Sequence, residues 1–181
     1  YEAPMSLPQF LKYFDPIWTY ITTSPAPLYC KAEVTVNMTA NETFFVRSYR
    51  HSNGSNVTEL LHGQFIHEAN LMYGTEPYDA MNVGKPGCAL EHREELMFQN
   101  WENTCAVIKV TWFANILIPF SFNQRETTFE LRVKDSSVLS VDKECFEQFA
   151  YFAPRPQNYT KVFSDECENQ YYAQIRSILP K

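Results

Sequence analysis

The stretch from Asn103 to Phe149 constrains the fold more than any other part of the chain. Cys105 to Phe113 is dense in β-branched and aromatic residues and reads as a strand. Asn115 to Arg125, broken by Pro119 and Asn123, reads as a loop. Thr127 to Val133 then alternates at period two, with Phe129, Leu131 and Val133 on one face and Glu130 and Arg132 on the other. After a crossing at Ser136–Val141, Asp142 is placed to cap a short helix carrying Cys145, Phe146 and Phe149. A helix with apolar residues must cover an apolar face. That favours Phe129, Leu131 and Val133 outside, beneath the helix, with Glu130 and Arg132 inside as a mutually compensating pair. The alternative leaves the charges in solvent and makes Leu131 the interior residue.

The rest of the chain repeats the strand signal. Ser6–Phe14 has a Ser cap, Pro8 in the first turn and apolar residues at 7, 10, 11 and 14, which predicts a short N-terminal helix. Strands are expected at Ile17–Thr22, Tyr29–Met38, Thr43–Arg50 and Glu59–His67, within Leu71–Val83, and from Glu95 to Gln99, ahead of the two above. Eight short strands joined by turns predict an all-β, antiparallel up-and-down barrel rather than βαβ units. We expect one domain over 1–181. Its barrel spans about 15–135 and its outer C-terminal helix about 142–152. In the tail, 168–181, Tyr171, Ile175 and Ile178 share helical spacing.

Several function classes fall away. The net charge is −6 and no basic run exists, which argues against nucleic acid. No apolar stretch approaches the ~18 residues of a membrane helix. His62 and His67 point to opposite faces of a strand, so they do not share a metal, and His51 and His92 have no ligand-spaced companions. There is no nucleophile elbow or phosphate loop, and Glu91, Glu94 and Glu95 read as a solvated turn. No enzyme, metal or cofactor is expected. Asn-x-Ser/Thr occurs at Asn37, Asn41, Asn53, Asn56 and Asn158, five sites where chance pairing gives roughly 1.6, and this excess points to a secreted, extracellular glycoprotein. A first residue of Tyr1 fits a cleaved signal peptide.

These features together resemble the tick salivary lipocalins, the secreted histamine-, serotonin- and leukotriene-binding type. The resemblance rests on Asp15-Pro16-Ile17-Trp18-Thr19-Tyr20, on Cys30 opening the second strand, and on Phe44–Tyr49. It continues through Cys105-Ala106-Val107, Glu130-Leu131-Arg132-Val133-Lys134, Cys145, and Tyr159-Thr160 ahead of Cys167. It implies a lipocalin-like barrel and bridges Cys30–Cys167 and Cys105–Cys145. Cys88 is left over, as a free thiol or as the link of a disulfide-joined dimer. It also implies that the partner is a small host mediator, lipid or amine. Amine-binding members carry Cys-Asp and Glu-Leu-Trp/Tyr where this chain has Cys105-Ala106 and Glu130-Leu131-Arg132. The missing acid and the added cation shift the expectation to a fatty-acid-derived lipid such as a leukotriene, its carboxylate at Arg132. Its tail would lie against Trp18, Phe44, Val46, Ile108, Val110 and Trp112. That placement takes Ala32, Val34, Val36, Phe44, Val46 and Ser48 as inward and Arg47 as outward, from the outward Asn37 and Asn41. The runner-up is histamine or serotonin on Asp15 and Glu130. A third reading is a protein-binding immunomodulator acting on complement, a cytokine or a receptor.

Overall fold

The computed structural model describes residues 5–11, 15–67, 77–113, 127–153 and 158–169. The strands are β1 Ile17–Thr22, β2 Tyr29–Met38, β3 Glu42–Arg50, β4 Asn56–Ile66, β5 Ala80–Gly84, β6 Leu90–Gln99, β7 Cys105–Trp112, β8 Thr128–Lys134 and a two-residue β9, Thr160–Lys161. The helices are α1, Leu7–Phe10, and α2, Lys143–Phe152. From β1 to β8 each strand pairs antiparallel with the next, and β1 also pairs with β8, which closes the sheet into an eight-stranded up-and-down barrel. This is the expected fold. The expected loop at Asn115–Arg125, part of the span Leu71–Val83, and the tail with Tyr171, Ile175 and Ile178 lie outside the described residues.

The wall separates two apolar clusters. On its outer side, Val107, Phe129, Leu131 and Val133 pack with Cys145 and Phe149 of α2. Asp142 caps that helix, its side chain accepting from Glu144 N, and the Cys105–Cys145 disulfide ties it to β7. On the inner side, Ile17, Phe45, Leu61, Phe65, Met81, Leu96, Ala106, Ile108 and Val110 fill one end of the barrel together with Leu7, Phe10 and Leu11. The short α1 closes that end. Ser6 caps it, Pro8 sits in its first turn, and Leu7 N donates to Tyr78 O. The helix ends at Phe10, and 12–14 of the expected span lie outside the described residues.

One edge of β1 is shared. Ile17 and Trp18 pair with Glu33 and Ala32 of β2, whereas Ile21 and Thr22 pair with Lys161 and Thr160 of β9. The segment after α2 therefore runs between β1 and β2: Val162 N donates to Tyr20 O and Val162 O accepts from Cys30 N, both at 3.0 Å. The Cys30–Cys167 disulfide fastens this inserted segment, and Cys30 itself has a φ of +49° where the β2–β3 register shifts.

Candidate functional site

Beyond the apolar plug, the barrel interior turns ionic. Glu130 and Arg132 of β8 point inward, as their period requires, and Arg132 Nε donates to Glu130 Oε2 at 2.8 Å. Lys31 of β2 reaches Glu130 Oε1 at 2.7 Å. Arg132 Nη1 lies 3.1 Å from Glu33 Oε1, and its Nη2 also contacts Glu94. From β3, Arg47 Nη2 meets Glu33 Oε2 at 3.1 Å and Glu94 Oε2 at 3.0 Å. His92 Nε2 stands 3.2 Å from that same Glu94 oxygen. Three cations thus face three carboxylates, all buried, so their formal charges cancel.

Burial alone would raise the Glu130 carboxyl, but Lys31 and Arg132 hold it down to about 2. Burial likewise works against Glu94, and Arg132 and Arg47 outweigh it, keeping that carboxyl well below the usual range. Desolvation lowers the Lys31 ammonium despite Glu130. For both arginines burial acts downward, yet Glu33 and Glu94 raise them above their ordinary value.

A cavity of about 280 Å³ opens above the belt, at the end of the barrel opposite α1. Its floor is Lys31, Arg47, Glu130 and Arg132; its sides include Tyr49, Glu59, Glu91, His92, Val110 and Trp112; the β1–β2 loop contributes Ser24, Ala26 and Leu28. Trp112 sits at the rim against the His92 ring, with centroids 4.5 Å apart. Burial, then the neighbouring Glu59, raises the Tyr49 phenol.

The residues singled out in the sequence divide. Val110, Trp112, Glu130 and Arg132 border the cavity, whereas Ile108 faces inward but belongs to the apolar plug. Trp18 faces the other way: it pairs with Val133, packs edge-on to Phe163 beneath the outer segment, and donates from Nε1 to Asp135 Oδ1 at 2.8 Å. Phe44, expected inside, stacks on His62, and Val46 and Ser48 share its outward face, while Phe45 and Arg47 point in. Ala32 and Val34 are outward too, with Lys31 and Glu33 inward. The reason is a bulge. The β2–β3 register shifts between Thr35 and Asn37, so the exposed Asn37 and the outward Val34 stand on one face although the spacing between them is odd. Asp15 is half-buried ahead of β1 and does not border the cavity.

Glu94 is the largest omission. The expected solvated turn at Glu91–Glu95 is part of β6, and Glu94 is fully buried at the centre of the belt. Its signal was the alternation His92-x-Glu94-x-Leu96, which continues the inward face. Lys31 and Glu33 also escaped notice as interior groups, though their two-residue spacing mirrors that of Glu130 and Arg132. All five sequon asparagines are exposed, and Cys88 is exposed and unbridged. Among the described residues no cluster of His, Cys, Asp or Glu is arranged to hold a metal ion.

Comparison with known proteins agrees with this fold. The model of the tick histamine binding protein family matches residues 28–169. No curated protein sequence matches the chain. Among solved structures, the AM182 serotonin complex superposes with a TM-score of 0.62 at 16% identity, covering 92% of this chain and 94% of that one. Japanin from Rhipicephalus appendiculatus bound to cholesterol gives 0.56 at 13%, covering 90% and 100%. Lobster apocrustacyanin A1 gives 0.56 at 9%, covering 90% and 83%. At these identities the likeness is one of fold.

Proposed function

Because this chain belongs to the tick histamine-binding protein family, a family of lipocalin-type ligand binders, we propose that it is a secreted protein that captures one small host mediator at its barrel mouth. Capture is stoichiometric, without turnover. The ligand best supported is a compact aromatic amine. One observation carries this choice: Arg132, the cation a fatty acid would need, is already engaged by Glu33, Glu94 and Glu130 and is 2% exposed. The cavity also falls just short of the ~300–1,000 Å³ typical of drug-sized ligands, and below the belt the described residues form a packed cluster of buried apolar side chains. For an ammonium, the walls offer the Glu59 and Glu91 carboxylates with the Tyr49 and Trp112 rings, the combination that holds organic cations. The amine is thus held at the walls, and Glu130 serves the belt.

The acidic-lipid reading keeps one supporting fact, three cations in the cavity floor, and the experiment includes it. Calorimetry on the full, ligand-stripped chain compares histamine, serotonin, a leukotriene and its methyl ester. One-to-one binding of an amine, with the acid and ester both weak, is the expected result. Strong binding of the acid with rejection of the ester and of both amines would reinstate the lipid. Secretion in this reading draws on the two disulfides and the five exposed sequons. A mass shift on enzymatic deglycosylation checks occupancy, and a non-reducing gel shows whether Cys88 joins two chains.

A further inference from the structure

A groove of about 560 Å³ on the outer wall, beside the β3–β4 turn, shares no lining residue with the cavity at the barrel mouth. It crosses three neighbouring segments. Tyr29 of β2 pairs with Arg50 of β3, and Cys30 N donates to Val162 O, just after β9. Arg50 and Lys161 both line the groove and stand on either side of Tyr29 and Cys30. Two strand spacings separate them, roughly 10 Å at the backbone. Arg50 continues the outward face of Phe44, Val46 and Ser48, because β3 pairs with β4 without a register shift as far as Arg50 and Asn56. Two long cationic side chains so placed can close on one group between them.

The charge here runs against that of the chain. The protein carries a net −6, yet among the described residues no carboxylate lines this groove. Elsewhere on the surface Lys109 and Lys143 lie 3.9 Å and 3.2 Å from glutamates. Arg50 and Lys161 have no such partner among the described residues. Arg50 Nε donates to Asn56 Oδ1 at 3.4 Å, and Lys161 Nζ sits 5.0 Å from the centre of the Tyr20 ring. A sugar on Asn56 would leave the first contact in place, since it attaches through Nδ2. The Nη hydrogens of Arg50 and the Lys161 ammonium keep their donor capacity for a ligand. The exposed His51 and the hydroxyls of Tyr29 and Ser52 add donors around them. Cations without counter-charge draw an anion. A tetrahedral oxyanion fits better than a flat carboxylate: one edge meets the Arg50 fork while its other oxygens reach Lys161 and the hydroxyls. We propose that this groove is a second binding site, separate from the barrel mouth, for a phosphate or sulfate group.

The test titrates the full chain with inorganic phosphate, inorganic sulfate, phenyl phosphate and acetate at low ionic strength, read by calorimetry and by phosphorus NMR line width. Saturable binding of the phosphates and of sulfate is expected, near-millimolar and weaker as salt rises, with acetate weaker than all three. Arg50→Gln and Lys161→Gln should each weaken it about tenfold. Both side chains lie at the surface, so an unchanged melting temperature is expected of each variant. Lys143→Gln, a cation outside the groove, should leave binding as it was. Tighter binding of phenyl phosphate than of inorganic phosphate assigns the occupant to a monoester, and the reverse order to the free ion; the site stands in both cases. Absence of saturable oxyanion binding by the parent protein overturns the site. Binding that survives both groove substitutions also overturns it, because the anion would then sit on the cations of the cavity floor. Equal weakening by Lys143→Gln overturns it too, as the mark of unspecific charge attraction. Amine capture at the mouth is untouched by any of these results.

Discussion

Leu131 and Arg132 are neighbours on β8 and almost equally buried, at 0% and 2% exposure, yet they sit in opposite worlds. Leu131 faces α2 among aliphatic and aromatic side chains. Arg132 faces the barrel axis among three carboxylates. The contrast shows that burial does not specify chemistry. The outer face is held by non-directional packing, where atoms of similar shape substitute for one another at modest cost. The inner face is held by charge balance, where each group is stabilised only while its partners remain.

The largest effect is expected from breaking that balance at its centre. Glu94→Ala leaves Arg47 and Arg132 short of a partner and should destabilise the fold by about 3–5 kcal/mol in denaturant titration. Replacing Glu33, Arg47, Glu94 and Arg132 together by apolar residues of matching volume should be far milder, neutral or even stabilising. A cost below about 1 kcal/mol for the single change would show that the belt is not held by mutual compensation.

The matching break on the outer face is removal of the Cys105–Cys145 bridge. The double change to Ser should cost about 2–4 kcal/mol and loosen α2 while leaving the interior ion pairs in place. Hydrogen exchange would localise the loss: faster exchange confined to α2 and β7 agrees, and exchange spread through β2 and β3 would mean the two faces are not separable.

Acid should distinguish the faces next. The folded carboxyl of Glu130 is held at about 2, below its ordinary 4.5, and that of Glu94 is also lowered. Groups depressed in this way contribute stability that is fully present above about pH 4.5 and is lost as pH falls towards 2. Stability measured in urea at pH 7, 4.5 and 2.5 should stay level across the first interval and drop across the second. Glu130→Gln should make the drop shallower. A flat profile from pH 4.5 downward would contradict the assigned pairing.

The smallest effect comes from an ion pair of the same chemistry placed in water. Lys143 and Glu147 are 3.2 Å apart on the exposed face of α2, one turn from each other. Lys143→Ala should change stability by about 0.3–0.5 kcal/mol, and less in high salt. A larger loss would imply that the outer helix depends on surface charge rather than on Cys145 and Phe149.

The same contrast marks what could be read from the sequence. On β8 the alternation was uninterrupted and a covering helix followed, so the inward parity of Glu130 and Arg132 followed from packing logic alone. On β2 and β3 the parity was inferred from Asn37 and Asn41, and it came out reversed. Asn37 does face outward, but the bulge beyond Thr35 resets the phase, and Asn41 precedes β3 rather than belonging to it. A bulge inserts one residue without a compositional mark. Glu94 was hidden differently: three acids in five residues suggest solvent, and only the closed barrel brings Arg47 and Arg132 to it. Strand count and most boundaries needed local pattern alone. The cavity walls needed pairings between strands far apart in sequence.

The strand shared between β2 and β9 has a consequence for how the molecule is made. Residues near 160 complete a side wall that begins at residue 17, and a disulfide spanning 137 positions locks them there. Translation delivers those parts far apart in time, the early edge first and its partner last. While the chain is being extruded, the margin beside Tyr20 and Cys30 must wait, its amides unsatisfied, for a partner made last. Every nascent copy therefore passes through a stage with a bare strand margin, the surface by which sheets of different molecules join. Any shortening that stops before Thr160 would make that stage permanent.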